Sequence, residues 1–286
     1  MTASLMPWKA RWPLLVVVST FVQTTLFFWG LRVFFPHLWA RQLGAGFTTN
    51  AMVFLATGIF LCFMEWGGHR YLLHTATISW LIQTLTFNHG KHHALTSIVL
   101  LDANPERTLK RVSSNYVLVE KKQYHSVVFA DYFLVAIFAG YAPLFALLVW
   151  LFPAVPFLGG YVALAVWVTL YDVLHPFEHK PDEWWEKRKY NPLLSLLHRF
   201  HQYHHVNTNC NMAIVGFFGL PLADWLLGTF KLPPLALRDG DIVEIKTFAP
   251  PAPRWFVLGL DAWALKREQR LLGKQAEKNR RVMTTK

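Results

Sequence analysis

The sequence has little charge and very little cysteine. Only 16% of its 286 residues are Asp, Glu, Lys or Arg, whereas 53% are hydrophobic. A disordered chain or a nucleic-acid-binding protein is therefore not expected, despite the net charge of +11. The two cysteines, Cys62 and Cys210, are too few for a disulfide framework or a thiolate metal cluster. No segment has the pattern of a flavin, nicotinamide or iron–sulfur motif.

Long uncharged runs take the place of the missing charge. A helix needs about 20 apolar residues to cross the roughly 30 Å hydrocarbon core of a bilayer. The last two of the expected spans share one uncharged run, in which Pro153, Pro156, Gly159 and Gly160 indicate a turn between two helices. We expect four transmembrane helices, at about 14–31, 42–64, 132–152 and 157–174.

The basic residues are distributed unevenly between the loops. Twenty-six of the 28 Lys and Arg residues lie in 1–13, 67–126 and 175–286, and the intervening loops contain only Arg32 and Arg41. By the positive-inside rule, the basic segments and both termini are cytoplasmic and lie against anionic headgroups. Residues 1–260 are expected to form the membrane domain. The basic cytoplasmic tail, 261–286, is either a surface helix or a solvated segment.

The stretch 71–90 is uncharged as well, but we do not expect a fifth span there. As a helix it would separate His69 from His89 by about 1.5 Å for each residue step, which would put them on opposite faces of the membrane. Its many Thr, Ser, Gln and Asn residues fit a re-entrant or interfacial segment better. A second segment of this kind is expected at 212–222.

Histidine is abundant, and ten of the thirteen histidines form four clusters, each beside a predicted span or the re-entrant segment. The cluster members are His69, His74, His89, His92, His93, His175, His179, His201, His204 and His205. Residues at i, i+3 and i+4 share a helix face, so each H-x-x-H-H cluster can direct its rings into one cavity. His69 and His74, five residues apart, are about 140° apart around an α-helix. They therefore either reach different ions or flank a helix end.

Ten imidazoles are enough for two metal ions with about five ligands each. Neutral imidazole binds iron, zinc, copper and nickel alike. We expect two iron ions because oxygen chemistry at a membrane surface favours iron, and we expect zinc to be able to replace them in a purified sample. His37, His125 and His198 are expected to be structural. His198, three residues before His201, could also support the ligands from behind.

At these residues the sequence resembles the fatty acid hydroxylase superfamily of membrane di-iron enzymes. The resemblance covers about 65–230 and includes the order HxxxxH, HxxHH, HxxxH, HxxHH and the ending Ala-Asp-Trp-Leu-Leu-Gly-Thr-Phe at 223–230. The phrase Tyr-Asp-Val-Leu-His at 171–175 is similar to the 2-hydroxylase branch. The insertion-like stretch 102–122 departs from the family pattern.

The resemblance implies an all-α integral membrane protein, with four transmembrane helices and a cytosolic helical cap that houses the di-metal site. It implies that the ten clustered histidines are the metal ligands. The implied activity is hydroxylation of an unactivated C–H bond of a membrane lipid (fatty acyl, sphingolipid, sterol or carotenoid), with O2 as co-substrate. Since no redox motif is present, we expect a separate electron donor of ferredoxin or cytochrome type with its reductase.

Two acidic residues lie beside predicted ligands in the sequence. Asp172 and Glu178 could accept hydrogen bonds from ring nitrogens and so orient the imidazoles. For Glu178 an ordinary solvated carboxylate is an equal alternative.

Two other functions remain open. A lipid or sterol desaturase would use the same di-iron site, because both reactions begin with the same hydrogen abstraction. A histidine-rich metal-binding or transport protein would need ionisable residues within the bilayer, and the predicted spans carry theirs only at the edges.

Overall fold

The computed structural model describes residues 7–152, 155–188 and 190–284, so that Pro153 and the last two residues of the predicted tail lie outside it. Its α-helices are, in chain order, α1 (Pro7–Phe34), α2 (Pro36–Gly44), α3 (Gly46–Gly68), α4 (Phe87–Leu95), α5 (Lys121–Tyr124), α6 (Phe133–Leu151), α7 (Leu158–Glu178), α8 (Asp182–Glu186), α9 (Pro192–Val206), α10 (Leu222–Leu227) and α11 (Trp255–Thr284). Single π-helical turns cover His69–Leu73 and Ile82–Thr86, and a 3-10 turn covers Ile245–Phe248. The strands are β1 (Ile98–Asp102), β2 (Leu109–Ser114) and β3 (Ile242–Glu244).

Four helical stretches are long and apolar enough to cross a membrane, as the uncharged runs predict. They are Trp12–Phe34, Gly46–Leu73, Phe133–Leu151 and Leu158–Glu178. The second begins at Gly46 rather than at residue 42, because Gly46 adopts a φ of 78° and separates α2 from α3. These helices support a membrane protein.

The chain divides into two compact units, and the first runs to Cys62 and resumes at Val128–Phe177. Within it, Gly159 and Gly160 lie in the first turn of α7 rather than in the turn before that helix. A Cβ at Gly159 would lie 2.1 Å from the backbone oxygen of Asn50, and one at Gly160 would lie 2.5 Å from the Phe145 ring. The glycine pair therefore permits close packing of α7 against its neighbours.

The second unit comprises Phe63–Val127 and the chain from Glu178 onward. It contains an antiparallel sheet in the order β1-β2-β3, so the expectation of an all-α protein is wrong in this detail. β1 and β2 form a hairpin within and beside the stretch 102–122. Asn104 closes it by accepting a hydrogen bond from the Leu109 backbone N–H at 2.9 Å. The β-branched residues Ile98 and Val99 at the start of β1 favour a strand over a helix.

Helix α9 lies between this sheet and the clustered histidines. The helix starts at an N-cap, where the Asn191 side chain accepts a hydrogen bond from the Leu194 backbone N–H at 3.0 Å, and Pro192 follows at the first helical position. On one side, Tyr203 packs in the core formed with the sheet, and its hydroxyl donates to the Phe248 carbonyl at 2.8 Å. This packing fixes the direction of the histidine-bearing side.

Residues 71–90 do not form a continuous helix. The chain leaves a π-helical turn at Leu73, passes through bends and turns, and re-enters helix at Ile82. Residues 212–222 form a compact turn, in which the Phe217 backbone N–H donates to the Leu220 carbonyl at 2.8 Å. The re-entrant or interfacial placement of both segments stays a prediction.

Candidate metal centre

Five histidines of the second unit converge on one point. Their donor nitrogens all lie within 4.8 Å of one another. The members of this first group are His69, His74, His89, His93 and His204. They come from the His69–Leu73 turn and its end, from α4 and from α9, so three separate stretches of chain build the group.

The spacing of His69 and His74 works because the backbone between them is not α-helical. The His74 backbone N–H donates to the His69 carbonyl at 3.0 Å, which is the i to i+5 bond of a π-helical turn. The two rings are nearly parallel, 11° apart, with centroids 5.0 Å apart. Both rings therefore belong to one group, and His74 lies at the helix end.

A second group lies beside the first. His92, His179 and His201 have donor nitrogens within 4.8 Å of one another, and His205 Nε2 lies 3.1 Å from His201 Nε2. His93 belongs to both neighbourhoods, since its donor nitrogen is also within 4.8 Å of those of His92 and His205. The two groups thus adjoin at His93.

The tenth predicted ligand is buried but belongs to the first unit. His175 is 1% exposed and lies one helical turn before His179 in the sequence. Its membership of the second group stays a prediction.

Backbone carbonyls fix the tautomers of three ligands. The Nδ1 atoms of His69, His179 and His204 lie 2.6, 2.7 and 2.8 Å from carbonyl oxygens, those of Met212, Tyr116 and Cys210 respectively. A carbonyl oxygen only accepts, so each Nδ1 carries the proton. Each Nε2 therefore presents a lone pair to its group, as a metal ligand must.

The contacts inside the first group test whether a metal fits. Five Nε2 pairs lie 2.9–3.2 Å apart, and two of the five nitrogens, those of His69 and His204, have no proton to donate. The other three nitrogens can donate at most three hydrogen bonds, so at least two of the five contacts have no hydrogen bond. Such contacts are repulsive unless the nitrogens are deprotonated and share a cation.

The same distances are compatible with one shared cation. Two nitrogens bound to one ion at about 2.1 Å are about 3.0–3.4 Å apart at right or tetrahedral angles, and the five contacts are 2.9–3.2 Å long. The donor set therefore fits a metal ion without choosing among iron, zinc, copper and nickel.

Burial keeps these imidazoles neutral. It lowers the pKa of His204 to about 4 and that of His179 to about 3, although the carbonyl partners oppose the change. Burial, and then the charge of neighbouring histidines, lowers the pKa of His74, His89 and His205 well below 6.5. All five are in the metal-binding form at neutral pH.

Two carboxylates that the sequence analysis missed hold the loop that carries these carbonyls. Asp224, which is fully buried, accepts hydrogen bonds from the backbone N–H groups of Met212 and Ala213 at 3.0 and 2.9 Å and from the Thr229 hydroxyl at 2.6 Å. Burial raises its pKa, while these donors lower it. The Thr229 hydroxyl accepts from Trp66 Nε1 at 2.9 Å, so its own proton points to Asp224. Asp224 is thus surrounded by donors.

Glu65 holds the next part of that loop. Its two oxygens accept the backbone N–H groups of Val215 and Gly216 at 2.9 and 2.8 Å. Asp224 lies in the 223–230 motif and could have been noticed there. Glu65 is the one acidic residue in an otherwise apolar stretch, and this isolation is the signal by which it could have been found.

The predicted acidic supports are placed differently from each other. Asp172 accepts the Phe129 backbone N–H at 2.8 Å within the first unit. The Glu178 carboxylate is 1% exposed, and one oxygen lies 3.6 Å from His201 Nδ1. Glu178 is therefore not a solvated carboxylate, but it faces the His201 ring from just beyond hydrogen-bond distance.

The remaining histidines differ in burial. His37 and His125 are exposed. His198 is buried, stacks on Trp185 with centroids 4.1 Å apart, and places Nδ1 3.1 Å from the Glu178 carbonyl. Burial lowers the pKa of His198 to about 4. It therefore packs behind the ligand-bearing side of α9.

Tyr116 is a further residue at the site that the sequence analysis did not identify. Its ring lies over His179 with centroids 4.2 Å apart, and its carbonyl holds that histidine. Its hydroxyl is buried without a hydrogen-bond partner among the described residues.

No protein-family model, curated protein or solved structure matches this chain.

Proposed function

We propose that this protein is a membrane di-iron oxygenase that hydroxylates an unactivated C–H bond of a lipid with O2 and electrons from a separate donor. The observation that carries the proposal is the pair of adjoining imidazole groups. In the first group, the unprotonated Nε2 atoms of His69 and His204 lie 2.9 and 3.2 Å from the Nε2 atoms of His89 and His93, close enough to share one metal ion. A metal transporter has no need for two adjoining imidazole groups. The second support is the set of four helices that are long and apolar enough to cross a bilayer, which is where a lipid substrate resides.

The metal would be held by the clustered histidines. His69, His74, His89, His93 and His204 would bind one ion, and His92, His175, His179, His201 and His205 the other. Bound iron would supply reductive activation of O2 and abstraction of hydrogen from carbon. Imidazole-only ligation also admits zinc, which would be inactive in this chemistry.

The chain's own residues orient the ligands and exclude water. The carbonyls of Met212, Cys210 and Tyr116 hold three imidazoles in the required tautomer. Asp224 and Glu65 keep the 210–216 loop in place. In the proposal, Glu178, which has one oxygen 3.6 Å from His201 Nδ1, would accept the Nδ1–H of that ring and orient it.

The sidedness and partners of the enzyme follow from charge. We place the site and both termini on the cytoplasmic side, where 26 of the 28 basic residues lie. An acidic electron donor of ferredoxin or cytochrome type would meet this basic face.

The decisive experiment expresses the full chain in a bacterial host supplied with iron and air, and compares its lipids with those of a host expressing His204→Ala. The wild type is expected to yield a lipid heavier by one oxygen, and the variant none. A product lighter by two hydrogens would indicate a desaturase instead. Iron and zinc are measured in the purified proteins in parallel.

The matched control is His37→Ala, which removes an exposed imidazole outside both groups. It is expected to keep wild-type metal content and product, whereas His92→Ala and His204→Ala lose metal. Unchanged metal content in His204→Ala would contradict the site, and metal binding without any oxygen-dependent product would contradict the oxygenase.

A further inference from the structure

One side of helix α11 packs against the rest of the second unit. Val257 and Ala264 are buried, and Asp261 and Glu268 lie on the same side at intervals of three and four residues. The Asp261 carboxylate accepts two hydrogen bonds from Arg70 at 2.6 and 2.7 Å, and Glu268 accepts the Ala76 backbone N–H at 2.8 Å. This inner side is therefore occupied.

The rest of the helix surface presents large apolar side chains. Trp255 is 84% exposed and Trp263 58% exposed. Leu258, Leu265 and Leu272 are 53, 53 and 39% exposed and, at a spacing of seven residues, form a single row along the helix. An exposed apolar surface of this extent indicates that another molecule binds there.

Cations accompany this apolar surface. The exposed basic residues between 255 and 277 are Lys266, Arg267, Arg270 and Lys274, of which Arg267 donates a hydrogen bond from Nε to the Thr77 carbonyl at 3.2 Å. Two of the three acidic residues in that range, Asp261 and Glu268, are turned inward and hydrogen-bonded. The side of α11 opposite Asp261 and Glu268 therefore presents Trp255 and Trp263 together with Lys266, Arg270 and Lys274. This combination suits a layer with an anionic surface and an apolar interior.

We propose that α11 docks on a bilayer surface that contains anionic phospholipid. Trp255 and Trp263 enter the boundary between headgroups and acyl chains, and Lys266 and Arg270, which lie on the same side of the helix, contact phosphates. Tryptophan is favoured at this depth because its ring is apolar and its N–H is polar. The inference does not depend on the metal chemistry.

A second copy of the chain is the other occupant that an exposed apolar side can suggest. Pairing two copies of α11 through the side that carries Trp255 and Trp263 would bring the same cations of both helices together. Complementary charge is what such a pair needs and what α11 lacks, whereas phospholipid phosphates supply it. Four helices of membrane-spanning length also bring a bilayer to this chain in any case.

The test uses the full chain in lipid nanodiscs, with Gly259→Cys labelled by an environment-sensitive nitrobenzoxadiazole dye. Gly259 is exposed on the side of Trp255 and Trp263, and a side chain there has open space. Both native cysteines, Cys62 and Cys210, are buried. In discs of phosphatidylcholine with phosphatidylglycerol, the dye emission is expected to shift to the blue and to be less quenched by acrylamide than in discs of phosphatidylcholine alone. Added salt should reverse the difference, because screening weakens the contacts between cations and phosphates.

A charge variant identifies the cations. Each Lys or Arg near an anionic surface strengthens binding by about fivefold, so K266Q/R270Q/K274Q should weaken docking by roughly a hundredfold in a titration of phosphatidylglycerol content. K266R/K274R keeps the charge and should dock like the wild type. The matched control K122Q/K187Q/K246Q removes three exposed charges outside α11 and should leave the shift intact.

Three results would overturn the proposal. They are equal dye emission in both kinds of disc, a blue shift that survives the triple charge removal, and a shift that depends on protein concentration and accompanies cross-linking between labelled chains. The third result would identify a second copy as the occupant.

Discussion

Replacing Asp224 with asparagine should lower metal affinity indirectly, because Met212 connects Asp224 to His69. The Asp224 carboxylate touches no clustered histidine. One of its oxygens accepts the Met212 backbone N–H and the Thr229 hydroxyl, and the other accepts the Ala213 backbone N–H. Asparagine has the same shape but only one acceptor oxygen. With that oxygen at Met212 and Thr229, its amide NH2 faces the Ala213 N–H, which is donor against donor.

The energetic effect has two parts. A hydrogen bond to a charged group contributes about 1.5–3 kcal/mol, and a buried N–H left without an acceptor costs about 1–3 kcal/mol. Because both occur at one buried position, Asp224→Asn should destabilise the fold by roughly 3–5 kcal/mol. The Met212 carbonyl holds His69 Nδ1 at 2.6 Å, and loss of such support lowers metal affinity about 10- to 100-fold.

The assay measures thermal unfolding by tryptophan fluorescence in detergent and metal retention against a graded chelator. Asp239→Asn is the control, since Asp239 is exposed and also accepts a backbone N–H, that of Ser114, at 2.8 Å. We expect it to change stability by less than about 0.5 kcal/mol and metal affinity not at all. A folded Asp224→Asn protein that retains metal as tightly as the wild type would show that Asp224 does not support the metal-binding histidines.

Three further predictions concern other parts of the chain. Gly159→Ala should destabilise the protein by about 1–3 kcal/mol, because its Cβ would collide with backbone, whereas Gly140→Ala has open space and should not lower the melting temperature. Tyr116→Phe removes a buried hydroxyl without a partner among the described residues, so metal content should persist and thermal stability should not fall; a clear loss of stability would show that the hydroxyl is bonded. The metal-free protein should lose stability as pH falls below 6.5, the unfolded value, towards about 4, the folded pKa of His204, because the unfolded chain binds more protons there. A melting temperature that is flat between pH 7.5 and 5 in chelator would contradict this last prediction.

The sequence predicts the membrane helices well because a span is a local property. Length and the absence of charge decide it, and the four stretches need no knowledge of their neighbours. The third strand of the sheet was missed for the opposite reason. β2 pairs with β3, so Leu109 faces Glu244 across a separation of 135 positions, and three residues of β3 carry no recognisable strand pattern.

The roles of Asp224 and Glu65 also depend on contacts far apart in sequence. Glu65 is paired with backbone N–H groups 150 and 151 residues later. A lone carboxylate in an apolar run signals a function, but the partner loop has no side-chain pattern that would reveal it. Backbone donors are invisible in a sequence, so the supports of a site are harder to predict than its ligands.

The two H-x-x-H-H clusters show how far helix geometry alone can reach. On an α-helix the last two histidines of such a cluster are 100° apart, with the first between them and nearer the last. In α4 the first and last, His89 and His93, enter the first group and His92 the second. In α9 the pattern is reversed, since His201 and His205 enter the second group and His204 the first. The 100° angle is in the sequence, but its consequence requires two helices that meet: each cluster gives an i, i+4 pair to one group and its i+3 ring to the other. Neither helix could form a complete group alone, so the site can bind metal only when the chain has folded around it.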